Sequence, residues 1–148
     1  ANEEGWILRF KDGKRLKIKG DEYIGVHRLL HGLSDKAKVK AWSTGTMNNY
    51  IMMLPEEFRP ELEKFSDDLD KVKDSQYFFL QSVFETMKEL HGGSIKEFAL
   101  HVNKVIHVEY RKYMFQAFKN GSISVEMIRE DIAKNYKEYI EVINTWNN

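Results

Sequence analysis

Residues 3–27, EEGWILRFKDGKRLKIKGDEYIGVH, decide how the fold of this chain is read. They predict two extended segments joined by a tight turn and running into a helix. Asp12-Gly13 is the turn signal, because a primed two-residue turn needs positive φ at its centre and Gly and Asp tolerate that best. With those residues as the loop, Lys11 pairs with Lys14, Leu8 with Lys17 and Trp6 with Lys19. Strand side chains alternate between faces, so Glu4, Trp6, Leu8 and Phe10 are expected to share a face with Arg15, Lys17 and Lys19. An acid and two lysines would then point the same way.

Such a set suits a polyphosphate with a divalent metal. Magnesium takes hard oxygen ligands, commonly one or two carboxylates plus water, which Glu4 could supply. Lysine ammoniums two residues apart on a strand reach phosphate oxygens as mobile point charges. Gly5 removes a side chain beside the acid, where a nucleotide could approach the backbone. An ordinary hairpin with a basic, solvated edge accounts for the same residues without any ligand.

Glu4-Gly5-Trp6-Ile7, then Lys17-Ile18-Lys19, Tyr23 and His27, resemble motifs IV and V of the covalent nucleotidyltransferases. The likeness is greatest to the bacteriophage RNA ligase 1 family, in which a KxK strand runs into a helix carrying Tyr and His. The resemblance implies that Glu4 helps bind Mg2+ and that Lys17 and Lys19 contact the phosphates of ATP or of the adenylate, acting in catalysis. It also implies a helical C-terminal region tied to recognition of RNA, in that family broken transfer RNA. The family's nucleophilic lysine, in a K-x-D/N-G motif, has no counterpart here: Phe10-Lys11-Asp12-Gly13 has phenylalanine in that place. The expectation is therefore the C-terminal part of an ATP-dependent RNA ligase, partnered by an N-terminal nucleotidyltransferase portion and unable to adenylylate itself alone.

Composition sets bounds on this reading. The 148 residues carry 23 basic and 23 acidic side chains, so no global field draws the chain to nucleic acid and any RNA affinity must be local. Absence of cysteine removes disulfides and thiolate metal sites. No apolar run is long enough to span a bilayer, so a soluble protein of the cytoplasm, or of the host cytoplasm for a phage-encoded enzyme, is expected and no membrane partner.

Beyond Lys19 the period changes to helical. Asp21 is a candidate cap for a helix closed by Gly32, and Ser34 for one running through Val39 and Trp42 toward Gly45. Met47–Leu54 reads as a short helix before Pro55 and Pro60. Residues 61–91 favour helix, with breaks expected near Asp67, Asp68 and Asp70 and at Asp74-Ser75, and with Phe79, Val83, Met87 and Leu90 as the buried stripe of the second half and Phe84 beside it. His91-Gly92-Gly93-Ser94 is a stop and a restart. One helix is expected from Ser94 to Asn120, with Ile95, Phe98, Val102, Val105 or Ile106, Tyr113 and Ala117 inward. A last helix is expected from Ser124, buried through Val125, Ile128, Ile132, Tyr136, Tyr139 and Ile143. The fold class is mainly α: a short N-terminal β-hairpin at 1–21, ending a nucleotidyltransferase domain, then an all-helical bundle over 22–148.

Local RNA-binding candidates are Lys36, Lys38 and Lys40, a basic collar, and Arg111 and Lys112, with Lys119 and the aromatic surfaces of Tyr110, Tyr113 or Phe115. Solvated lysines and core aromatics are the plainer account of both. His27 and His31 have bis-histidine spacing but no third ligand, and His101 and His107 fall on different faces of a helix. The rival to the ligase is a non-catalytic helical module for protein interaction or RNA binding.

Overall fold

A computed structural model describes the backbone of residues 6–9 and 15–18 and the whole of residues 33–147. The chain is mainly helical, with seven α-helices among the described residues. Ahead of them two strands, β1 (Trp6–Arg9) and β2 (Arg15–Ile18), run antiparallel. The Asp12-Gly13 turn, the 21/22 domain boundary and the helix expected after Asp21 lie outside the described residues.

Helix α1 (Asp35–Ser43) begins where the Ser34 hydroxyl accepts the Ala37 N–H at 3.1 Å, relieving one unpaired first-turn donor. It ends before Gly45, whose φ of +80° suits a residue without Cβ. Helix α2 (Met47–Met53) buries Met47 and Ile51 and leaves Met52 and Met53 exposed. Pro55 then holds an extended backbone, a 3-10 turn covers Glu56–Phe58, and α3 (Arg59–His91) starts with Pro60 in its first turn, where no N–H is needed. Arg59 Nε donates to the Leu54 carbonyl at 2.9 Å across that corner.

The acidic run does not interrupt α3, which continues for 33 residues. Asp68 is buried, 3% exposed, and its carboxylate accepts from Lys64 Nζ at 3.1 Å and Asn147 Nδ2 at 3.5 Å. Lys73 lies 3.5 Å from Asp70, three residues back on the same face, and 3.4 Å from its neighbour Asp74, so one ammonium offsets two carboxylates. The buried stripe also differs from expectation. Leu69, Val72, Leu80, Phe84 and Met87 are buried, Val83 is half-buried, and Phe79 and Leu90 stand 59% and 63% exposed. Met87 and Phe84 are buried as expected; each residue turns a helix by about 100°, so Leu80 rather than Phe79 stands on their side.

Two helices expected to be continuous are each divided. The first becomes α4 (Ile95–Val105) and α5 (Val108–Asn120). Ile106 is extended at φ −94°, ψ 132°; His107 Nδ1 accepts the Glu109 N–H at 3.4 Å; and Arg111 Nε donates to the Ile106 carbonyl at 2.8 Å. Side chains thus satisfy backbone groups that continuous helix would have paired. Phe98 and Val102 are buried as expected, whereas Ile95 and Val105 are exposed. The second becomes α6 (Val125–Lys134) and α7 (Tyr136–Trp146), broken at Asn135, whose Nδ2 donates to the Asp131 carbonyl at 3.1 Å. Ile128, Ile132 and Ile143 are buried, while Tyr136 and Tyr139 are half-buried.

The described residues gather into two compact units, one holding those up to Leu69 and from Tyr136 onward, the other Asp70–Asn135. In the first, α1 packs on α7, and Lys38 Nζ stands 5.6 Å above the Phe65 ring. In the second, α4 packs on α5. Phe98 meets Phe84 edge-on at 6.1 Å and Phe118 at 4.7 Å, and Gln81 Oε1 accepts the Ile123 N–H at 2.9 Å.

Candidate functional site

The candidate nucleotide site begins at β1 and β2. Their register pairs Trp6 with Ile18, Ile7 with Lys17, Leu8 with Leu16 and Arg9 with Arg15. This is one residue out from the register expected with a two-residue turn, in which Trp6 faced Lys19. A one-residue offset moves a whole strand to the other face. Along the backbone Lys17 is paired with Ile7; the shared face expected for it rests on side chains outside those described. Glu4 and Lys19, the other two residues of this site, lie outside the described residues.

The basic collar of α1 resolves into two kinds of lysine. Lys36 and Lys40 are exposed one helical turn apart, available to a phosphate. Lys38 is half-buried with its ammonium held over Phe65, where the ring's negative face attracts it.

On α5 the residues chosen for RNA contact have protein partners. Arg111 Nε donates to the Ile106 carbonyl, one of the five N–H donors of its guanidinium. Lys112 Nζ lies 2.7 Å from Asp131 Oδ1 and 5.5 Å from the centre of the Tyr113 ring. Tyr113 is buried, its hydroxyl 2.5 Å from Asp131 Oδ2 and 3.0 Å from the Met127 carbonyl. Its ring therefore serves the core rather than a base. Tyr110 sits at the surface, edge-on to Phe79 at 6.4 Å, and Phe115 is half-buried. Lys104 and Lys119 are exposed.

Sequence reading missed the meeting of His91 and His101. His91 Nε2 and His101 Nδ1 approach to 2.5 Å, with the rings nearly perpendicular at 81°. Both line a hollow of about 310 Å³ together with Glu97, Leu100 and Lys104. Spacing within one helix could not reveal the pair, because it forms across the Gly92-Gly93 corner. The one available signal was that a double-glycine turn brings the ends of two helices together. His107 instead caps α5 and lies 3.5 Å from Glu109.

Among the described residues no three His, Asp or Glu side chains converge on one metal position, and no helix is long and apolar enough to cross a membrane. No protein-family model, curated protein or solved structure matches this chain.

Proposed function

We propose that this chain is the C-terminal part of an ATP-dependent RNA ligase that joins a 3′-hydroxyl to a 5′-phosphate through lysyl-adenylate and RNA-adenylate intermediates. One observation carries the reading: the order Glu4-Gly5-Trp6-Ile7, Lys17-Ile18-Lys19, Tyr23 and His27, leading into a helical remainder. Glu4 holds Mg2+, and Lys17 and Lys19 stabilise charge on the transferring phosphate of ATP, a preorganised electrostatic contribution. The nucleophilic lysine belongs to the N-terminal portion, and the place of action is the cytoplasm. Lys36 and Lys40 are the helical residues best placed to meet RNA, broken transfer RNA in particular, and they supply an affinity that falls with salt.

The test supplies labelled ATP and Mg2+ to the chain extended upstream by its own coding region, beside the 148-residue chain alone. The expected result is covalent label on the longer protein only, followed by RNA end-joining, with both lost in Lys17→Ala and Lys19→Ala. No label on the longer protein removes the ligase reading.

A second reading, a non-catalytic interaction module, draws on a different observation. Phe78, Phe79, Leu100, Val105 and Val108 of the second unit are all large, apolar and exposed, and where such side chains adjoin they offer a partner an apolar surface. Failure of adenylylation together with a stable protein complex would favour it.

A further inference from the structure

We infer that His91 and His101 form a binding site for a borderline divalent transition metal, with Zn2+ the representative ion, joining the end of α3 to α4. The inference is independent of the ligase reading. Helix α3 ends at His91, the chain reverses through Gly92 at φ +61° and Gly93 at φ +129°, and Ser94 caps α4 by accepting the Glu97 N–H at 3.4 Å. This corner returns His101 to His91 from ten residues away.

The two ring nitrogens meet at 2.5 Å, so one proton can be shared between them. Replacing that proton with a metal needs a modest opening: Zn–N bonds of about 2.0–2.1 Å put cis nitrogens roughly 3 Å apart. Both rings border the hollow, which leaves space beside them. Imidazole favours Zn2+, Cu2+ and Ni2+, whereas Mg2+ seeks oxygen.

The surroundings set the rest of the shell. The hollow of about 310 Å³ exceeds the roughly 30 Å³ that one water occupies, so solvent can complete the coordination. Glu97, four residues before His101 on the same helix, lines that hollow and favours a cation through its charge. Lys104 lines it too and opposes a cation. The site thus has two nitrogen ligands, a supporting carboxylate and one opposing ammonium.

The full chain is titrated with Zn2+, Ni2+ and Mg2+ by calorimetry, while the imidazole nitrogens are followed by NMR. The expected result is that Zn2+ and Ni2+ shift the His91 and His101 resonances together and leave His107 unmoved, and that Mg2+ shifts none. His101→Gln removes one of the two nitrogen ligands and should weaken Zn2+ binding by at least the roughly tenfold that losing a mere supporting group costs a metal site. Glu97→Gln should weaken it less, and Lys104→Gln, at an exposed position that folding does not depend on, should strengthen it. A His27→Ala/His31→Ala chain should retain the site. His91 and His101 resonances in the unaltered chain that ignore Zn2+, or a response confined to His27 and His31, would overturn the inference whatever the variants do.

Discussion

The two compact units are stabilised by different kinds of contact. The second, Asp70–Asn135, is one continuous run of chain whose helices meet through nearby partners, as in Phe84 with Phe98 and Lys112 with Asp131. The first depends on residues far apart in sequence: α1 packs on α7, and Asn147 reaches Asp68 across 79 positions. Closing a long loop costs entropy before its contacts return any stability, so local units form more readily. Continuity of the chain, more than helix quality, separates them.

Removing residues 136–148 should have the largest effect. The first unit would lose α7, including buried Ile143 and the Asn147 bond, a loss exceeding the about 2–5 kcal/mol of truncating one buried isoleucine. Amide exchange should accelerate across 35–69 and stay slow across 70–135; acceleration throughout would show that the units unfold as one.

Phe98→Ala offers the converse. Phe98 is fully buried between Phe84 and Phe118, so about 3–5 kcal/mol should be lost in denaturant unfolding, with exchange affected in 70–135 alone. Equal acceleration in α1 would erase the distinction.

Hydrogen bonds separate the units more finely. Asp68→Ala in the first unit removes a buried carboxylate with two donors and should cost about 1.5–3 kcal/mol. Tyr113→Phe in the second should cost about 1 kcal/mol, and Lys112→Ala less, because half of that lysine remains in solvent. Thermal unfolding that ranked Lys112→Ala above Asp68→Ala would contradict the burial on which the comparison rests.

The smallest stability effect is expected at Lys36→Gln with Lys40→Gln, within about 0.5 kcal/mol for exposed positions. The same pair should weaken RNA binding more at low salt than at high salt, whereas Lys38→Gln should chiefly disturb the Phe65 contact. Salt-independent loss in the double variant would point to a folding defect.

Legibility followed the range of the interaction. Ser34, Ser94 and Ser124 were readable as caps because each accepts an N–H three residues ahead, and Gly121 as a terminator because its φ of +97° suits glycine. The breaks at Ile106 and Asn135 carried no Gly or Pro; they stand because Arg111, His107 and Asn135 supply partners for the backbone there. Arg111 and Lys112 drew attention as cations beside aromatics, but the groups that engage them, the Ile106 carbonyl and Asp131, could not be assigned from their own helix.

The sequence by itself determined a mainly helical chain, the positions of its strongest caps, and the Glu4, Lys17 and Lys19 pattern on which the ligase proposal rests, because local propensity and spacing act within a few residues. Tertiary structure alone decided which side of α3 is buried, where the two long helices break, which lysines remain exposed, and that His91 meets His101. These outcomes depend on partners brought together by folding, and a linear pattern does not encode the distance between them.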